Sequence, residues 1–359
     1  MEYKLLSITN YLSLVIIFLA CSNEKPSTPA SRGLPFEMVV IAPEQAYEGE
    51  LSDSIDAVFR ASTPVLPQHE PMFRLNVIWA DANLTPFRTY RLRFIAKVNP
   101  RASKASIGVA RNVVARPQLE VKAEAPSVHE LAQFIGRERE RLQDLFVDFE
   151  LDNMAAVLRR KHSTATRKAF HSLTGHTICM PAGLKASKQA KDFLWTGTNL
   201  NDRDQNFVSY FYTWDGQPLT ASQFVEKRDS ALKANIPGSR PDQWMQTAFI
   251  APSGATSAPR GGAFTSPELQ SETQVPPQKN LEGAPLILSR MRTINNVQVH
   301  EVHGLWEMHN GALGGAFVSI ERIDSAARRV LVTEGFIYSP HSPKRPILRE
   351  LEAALRTFK

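Results

Sequence analysis

An apolar run from Leu12 to Ala20 follows the single lysine Lys4 and stands directly before Cys21. This run determines which part of the chain can belong to the folded domain. A helix that crosses a bilayer needs about 20 predominantly apolar residues, and this run is shorter. A charged start followed by a short apolar run is typical of an N-terminal signal peptide, which is removed from the mature protein. We therefore predict that residues 1–20 are a signal peptide.

The residues before the cysteine indicate a lipid anchor. Phe18, Leu19 and Ala20 followed by Cys21 resemble a lipobox, in which the cysteine thiol receives a diacylglyceryl group before cleavage. Two or more acyl chains anchor a protein stably, since each buried methylene contributes about 0.8 kcal/mol. The sequence thus predicts a lipoprotein of the cell envelope, with Cys21 as the lipidation site and the outer membrane as its location. An uncleaved membrane helix and an ordinary secretory signal are the alternatives.

The basic charge of the chain belongs to the part after the signal peptide. The formal net charge is +6, and residues 1–20 contain one acid and one base, Glu2 and Lys4. Charges of both signs are interspersed, and the densest basic stretch, Arg159 to Lys161, falls on a helical pattern as a solvated face would. Nucleic acid is therefore not expected as a partner. Anionic headgroups or acidic glycans are compatible with this charge.

Cysteine usage excludes a disulfide-stapled fold. The chain has two cysteines, and with Cys21 lipidated the other, Cys179, has no intramolecular partner. The 43% of hydrophobic residues must then build a core that holds the fold by itself. Cys179 lies between Ile178 and Met180, so we predict that it is buried.

Hydrophobic patterning predicts an α+β fold with two similar modules, each an antiparallel sheet with helices on one face. The order of a strand, a helix, several strands and a helix occurs twice, which suggests a tandem duplication. Runs rich in β-branched and aromatic residues predict strands, and apolar residues at helical spacing predict helices. The predicted strands are 36–42, 72–79, 90–98, 107–114, 118–123, 207–214, 244–250, 297–308, 314–323 and 329–338, and the predicted helices are 51–61, 128–146, 221–234 and 346–357.

The same patterns divide the chain after the signal peptide. We predict a tether over 21–34, the first module over 35–150, a basic connecting helix within 151–175 and the second module over 176–359. Residues 251–285 are rich in Pro, Gly, Ser and Thr and show no periodicity. Such a composition does not bury enough apolar surface to offset its ordering entropy, so we predict a disordered insertion there.

A search for chemistry predicts no catalytic residue, no cofactor and no metal site. The sequence contains no GxSxG, GxGxxG, Walker or HExxH motif. His300, His303 and His309 lie close in sequence, but on a strand His300 and His303 point to opposite faces.

Four aromatic residues are the candidate ligand-binding residues: Trp195, Tyr210, Tyr212 and Trp214 flank a polar turn. Aromatic platforms beside amides and carboxylates are a common way of holding sugars. Tyr210, Tyr212 and Trp214 also share one face of the predicted strand, as a sheet packed on helices requires. A place in the core is the stronger interpretation of these residues.

The C-terminal third resembles a known family. The blocks are GLWEM from Gly304, MHNGALGGAFVS from Met308, RVLVTEGFIY from Arg329 and RELEAAL from Arg349, with RGLPFE from Arg32 in the first module. They are similar to a lipoprotein family of the Bacteroidota that is known as domain of unknown function 4837. The resemblance implies a lipid-anchored envelope protein with no assigned activity.

Two functions are consistent with these features. The first is a non-catalytic binding or scaffolding module, anchored to the membrane, with an envelope protein or a glycan as partner. The alternative is a hydrolase acting on envelope polysaccharide, with Glu301, Glu307 and Glu334 in one sheet. Two carboxyls about 5 to 10 Å apart in a cleft would favour the hydrolase. We expect the binding module rather than an enzyme.

Overall fold

The computed structural model describes residues 28–250 and 283–359. These residues form two β-sheets and the helices that pack on them, so the predicted α+β class is confirmed. The predicted signal peptide, Cys21, the first part of the tether and most of the predicted insertion lie outside the described residues. Within the described ranges, no helix has the length and apolar character needed to cross a membrane.

The first sheet has five strands in the order β2-β1-β3-β5-β4. The pairings of β1 with β2, β1 with β3 and β3 with β5 are parallel, and β4 pairs antiparallel with β5. The prediction of an antiparallel sheet is therefore wrong for most of this sheet. The strands are β1 (Glu37–Ala42), β2 (Arg74–Trp79), β3 (Leu92–Val98), β4 (Ser106–Arg111) and β5 (Leu119–Ala125).

The connection between the parallel strands β1 and β2 contains helices. A right-handed crossover from one parallel strand to the next needs a connection long enough for a helix, and the segment between β1 and β2 contains two. Helices pack on one face of this sheet, as predicted, against buried residues such as Met38, Phe94 and Val121. These helices are α1 (Glu44–Tyr47), α2 (Glu50–Phe59), α3 (Val128–Arg137) and α4 (Arg139–Arg160).

The second sheet is antiparallel throughout, as predicted. Seven strands follow the order β10-β11-β12-β13-β8-β7-β6, and β9 pairs with β11. The strands are β6 (Ala186–Ala190), β7 (Phe193–Gly197), β8 (Asp204–Thr213), β9 (Met245–Thr247), β10 (Ile287–Ile294), β11 (Val297–Met308), β12 (Gly314–Asp324) and β13 (Arg329–Tyr338).

Helices cover both faces of the second sheet, which corrects the prediction of one covered face. Phe224 of α6 (Ala221–Asn235) packs with Phe317 on one face. On the other face, Leu351 of α7 (Arg345–Leu355) lies against Gly335. The central strands β12 and β13 are buried on both faces, with near-continuous apolar runs that fit this position. The two sheets therefore differ in strand number, order and direction, and the predicted similarity of the modules does not extend to their topology.

Two further predictions need correction at the junction of the sheets. The predicted connecting helix within 151–175 is two helices, because α4 ends at Arg160 and α5 (Thr164–Thr174) begins after Ser163. The Ser163 hydroxyl accepts a hydrogen bond from the Thr166 backbone N–H and so caps α5. The end of the predicted tether is not free, because the backbone from Pro29 to Arg32 bonds to residues 89, 91 and 116 of the first sheet.

One large core joins both sheets. It extends from the helix-covered face of the first sheet to the α7 face of the second, and a smaller core lies under α6. Cys179 belongs to the large core and is free and buried, as predicted.

Candidate functional site

The four predicted aromatic residues lie on the α6 face of the second sheet. Tyr210 is buried in the smaller core, and Trp195, Tyr212 and Trp214 pack against that core half-buried. The polar atoms of two of them are engaged within the fold: the Trp195 indole N–H donates to Asn206, and the Tyr212 hydroxyl donates to Glu321 at 2.6 Å. The Tyr210 hydroxyl is buried and has no hydrogen-bond partner among the described residues. The rings are therefore arranged as the packed side of a sheet, and they do not form an open platform.

A buried ion pair lies beneath the same helix. Arg228 of α6 and Glu334 of β13 both have fully buried side chains, and the guanidinium donates two hydrogen bonds, of 2.8 and 2.9 Å, to the carboxylate. Burial lowers the pKa of Arg228, but the adjacent Glu334 carboxylate outweighs burial and raises it. The Ser319 hydroxyl donates to the same carboxylate, and the Phe317 ring lies 4.0 Å from the guanidinium carbon. Every polar group here has a partner inside the core, which is typical of a structural ion pair.

A second buried acid pairs with a histidine on that face. His300 Nδ1 lies 2.6 Å from Glu321, which also accepts from Tyr212. Burial, together with the nearby Glu321 carboxylate, raises the pKa of Tyr212 and keeps the phenol protonated. The His300 ring also packs edge-on against Phe224 of α6, so His300 is part of the packed layer below this helix.

The acids of the hydrolase alternative do not converge. Glu334 points to the α6 face, whereas Glu301 points to the α7 face, where it accepts from Arg290 and Arg292. Glu307 lies at the end of β11 and accepts from Gln246. Glu301 and Glu334 are on opposite sides of one sheet, so they cannot flank a common substrate.

The α7 face brings together a different set, which we call the acid–histidine cluster: Glu301 and His303 of β11 and Glu352 of α7. One donor atom from each side chain lies within 4.8 Å of the other two. His303 Nε2 is 3.8 Å from Glu301 Oε1 and 4.0 Å from Glu352 Oε1. Both carboxylates are almost fully buried, and 13% of the His303 side chain is exposed. The nitrogen and two oxygens are a donor set that metal ions use.

Arginines orient both carboxylates of the cluster. Arg290 and Arg292 donate to Glu301 Oε2 at 3.1 and 3.4 Å, and Arg349 donates to Glu352 Oε2 at 2.6 Å. Burial raises the pKa of Glu301, but His303 and the two guanidiniums outweigh burial and lower it below the ordinary range of a carboxyl. Glu301 is therefore a carboxylate at neutral pH although it lies inside the protein.

Open clefts lie on the surface of the described part of the chain. The polar cleft, of about 670 Å³, lies between the loop before β9 and the end of β11, and its lining includes Arg240, Asp242, Gln246, Glu307 and Asn310. Its edge carries Trp244, but one face of this ring stacks on His309 at 3.9 Å and Lys233 lies 3.8 Å from the ring centre. Polar groups therefore dominate the contacts that this cleft offers a ligand.

The second cleft, of about 450 Å³, lies where the chain enters the first sheet. Its lining includes Arg32, Glu37, Phe87 and Tyr90.

Sequence reasoning found His303 and Glu301 but not their association with Glu352. Alternation along β11 places Glu301 and His303 on one face, and His300 on the other face as predicted. Glu352 lies in α7, which packs on the neighbouring strands β12 and β13, and no local pattern in the sequence predicts its contact with His303.

The fold and the site define an α+β protein with a mixed five-stranded sheet and an antiparallel eight-stranded sheet, joined by one core that encloses charged groups. The chain belongs to the family described as Domain of unknown function (DUF4837), which matches residues 163–357. Residues 31–159 match a second family, described as Domain of unknown function (DUF8532). No curated protein and no solved structure matches the chain.

Proposed function

We propose that this chain is a lipid-anchored protein of the cell envelope, held at the outer membrane, and that it acts there as a non-catalytic binding module. The observation that carries the anchor is the run from Leu12 to Ala20, too short to span a bilayer, with Cys21 directly after it. The thiol of Cys21 would carry the acyl chains, and the folded body would remain outside the bilayer.

The fold supports an attachment close to the membrane. The Pro29 carbonyl accepts from the Arg116 backbone N–H at 2.9 Å, and the Arg32 N–H donates to the Thr89 carbonyl at 2.8 Å. Residues 22–28 separate Cys21 from the first of these contacts, and a fully extended chain of that length spans less than about 30 Å. The end of the first sheet where β3 and β5 begin, near residues 29–32, would therefore face the lipid headgroups.

Positive charge near residues 29–32 supports the same orientation of the first sheet towards the membrane. Three exposed arginines lie where the backbone of residues 29–32 bonds to the first sheet: Arg32, Arg88 and Arg116. An arginine near an anionic membrane surface contributes about 1 kcal/mol to binding. The three arginines would add an electrostatic contribution to the anchoring by the acyl chains.

The polar cleft is the surface to which we assign ligand binding. Gln246 donates to Glu307 at 2.9 Å at its floor, and Arg240 donates to the Asn310 carbonyl at its rim. Carboxylates, amides and a guanidinium together offer many donors and acceptors, which suits a ligand rich in hydroxyl groups. We therefore propose an envelope glycan as the ligand, and a protein partner is the alternative.

The anchor is tested by intact mass spectrometry of the protein purified from its native membrane, with Cys21→Ala as the variant and Cys179→Ala as the matched cysteine control. We expect the wild type and Cys179→Ala to begin at residue 21 with acyl mass added and to sediment with the outer membrane. Cys21→Ala should lose the acyl mass and leave the membrane fraction. An unlipidated wild-type chain in the aqueous fraction would overturn the anchor.

Ligand binding is tested by calorimetric titration of the full chain with polysaccharide isolated from the same envelope. A double variant, Gln246→Ala with Glu307→Ala, should lose at least tenfold in affinity. A control with two exposed residues replaced outside the cleft, Glu226→Ala with Gln298→Ala, should bind as the wild type does. Absence of heat with polysaccharide, together with one partner recovered by chemical cross-linking from intact cells, would replace the glycan with a protein.

A further inference from the structure

The acid–histidine cluster contains a buried oxygen that the fold leaves without a partner. Glu301 Oε1 is buried and accepts no hydrogen bond from the described residues. The side chain as a whole has no exposed surface. A buried carboxylate oxygen normally finds a donor in the protein or in ordered water, because leaving it unpaired is unfavourable. This atom is directed towards His303 Nε2, at a distance of 3.8 Å, which is too long for a hydrogen bond.

In each of the two carboxylates, one oxygen is bound by arginine and the other lies nearest His303. Glu301 Oε2 accepts from arginines, and Glu352 Oε2 accepts from Arg349 at 2.6 Å. The other oxygen of each carboxylate, Oε1, is the one nearest His303 Nε2. The arginines therefore hold the carboxylates so that two oxygens and one nitrogen surround a common point. Groups around metal ligands commonly have this role of fixing their orientation.

Two aspartates reduce the positive charge beside Glu301. Arg290 lies 3.1 Å from Asp144, and Arg292 lies 2.7 Å from Asp148, both on α4. These aspartates offset the positive charge of the two guanidiniums beside Glu301. The partial exposure of His303 gives the centre of the cluster a route from solvent.

We propose that Glu301, His303 and Glu352 bind one divalent transition-metal ion, of which Zn²⁺ fits best. An imidazole nitrogen with two carboxylate oxygens suits Zn²⁺ better than Ca²⁺ or Mg²⁺, which take oxygen ligands. Tetrahedral bonds of about 2.0–2.2 Å place two donors about 3.4 Å apart, so each carboxylate oxygen would approach His303 Nε2 by roughly half an ångström and the two oxygens would approach each other by up to about 1.4 Å. A fourth ligand would come from water, on the exposed side of His303.

The proposal is tested on the full chain in detergent, carrying an affinity tag without histidine, after chelator treatment and removal of the chelator. Zn²⁺ is titrated against a chromophoric competitor. We expect one Zn²⁺ per chain with a dissociation constant in the micromolar range or below. His303→Gln and Glu352→Gln should each weaken binding at least tenfold. His171→Gln, which replaces an exposed histidine on α5, should leave it unchanged.

Co²⁺ provides a readout that does not depend on the stability of the variants. Bound to the wild type, Co²⁺ should give visible ligand-field absorption that Zn²⁺ abolishes on addition. Absence of a stoichiometric Zn²⁺ site in the wild type would overturn the proposal and leave the cluster as a structural contact of His303 with two carboxylates. Folded His303→Gln and Glu352→Gln variants that retain wild-type affinity would overturn it equally.

Discussion

Removal of one charge from the buried pair of Arg228 and Glu334 gives the sharpest test of how the second sheet is held together. Arg228→Met keeps the aliphatic stem and removes the guanidinium. The substitution deletes both hydrogen bonds to Glu334 and the contact of Arg228 with the Thr247 hydroxyl at 3.2 Å. It leaves Glu334 as a fully buried carboxylate with Ser319 as a donor.

The expected cost follows from this geometry. Breaking a buried ion pair by removing one partner costs about 3–5 kcal/mol, because the remaining charge has lost its compensation. The desolvated contact of Arg228 with the Phe317 ring adds up to about 2 kcal/mol, part of which the methionine thioether recovers. We therefore expect Arg228→Met to lower the free energy of unfolding by about 3–6 kcal/mol.

A double-mutant cycle separates the pair from other effects of the substitution. Unfolding in urea is measured for the wild type, Arg228→Met, Glu334→Gln and the double variant. Since the double variant leaves no fully buried charge of this pair uncompensated, its loss should be smaller than the sum of the single losses by at least about 1.5 kcal/mol. Arg228→Met with a loss under about 1 kcal/mol, or additive single losses, would refute the assignment of a stabilising buried pair.

Three further substitutions test other parts of the fold. Burial raises the pKa of Glu150 to about 6 from 4.5, so the contribution of this carboxyl to stability is complete below pH 4.5 and is lost as the pH rises through 6. In urea unfolding, the free energy of unfolding of the wild type minus that of Glu150→Gln should therefore fall by about 2 kcal/mol between pH 4.5 and 7.5. A difference that stays constant with pH would contradict the raised pKa. Ser163→Ala removes the N-cap of α5 and the hydrogen bond from the Ser163 hydroxyl to the Leu184 carbonyl. It should lower the free energy of unfolding in urea by about 1–2 kcal/mol, and an unchanged value would show that water replaces the cap. Gly315→Ala would place a methyl group 2.0 Å from the Ile337 carbonyl oxygen, so we expect a loss of about 1–3 kcal/mol, and a wild-type midpoint would mean that the strands separate freely.

Regular elements of the second sheet could be predicted closely from the sequence. The predicted ranges 297–308 and 329–338 coincide with β11 and β13, and the helix predicted over 221–234 is α6. These segments have long apolar patterns that end at turn residues such as Asn310, which has a positive φ. Such elements can be predicted because their hydrophobic periodicity and the turn residues that end them are visible within one short stretch of sequence.

Pairing partners and distant contacts could not be predicted in this way. The run Met38 to Ala42 is buried on both sides of β1, as parallel strands are, but the pattern does not say which strands lie beside it. β10 is not predicted because it is an edge strand in which the charged residues Arg290 and Arg292 interrupt the apolar residues. The acid–histidine cluster escaped for the same reason, because Glu352 meets His303 only after α7 packs on the sheet.

The N-terminus of α7 depends on a residue from the other half of the chain. Both carboxylate oxygens of Glu70, in the loop before β2, accept hydrogen bonds from the backbone N–H groups of Lys344 and Arg345, at 2.6 and 2.9 Å. Glu70 lies in the segment that matches one family and α7 in the segment that matches the other. A chimera that joined residues 31–159 and 163–357 from two different relatives would keep this helix end satisfied only if the donor of the first segment carried an equivalent acid. The start of α7 is therefore one point, besides the shared core, at which the second segment depends on the first.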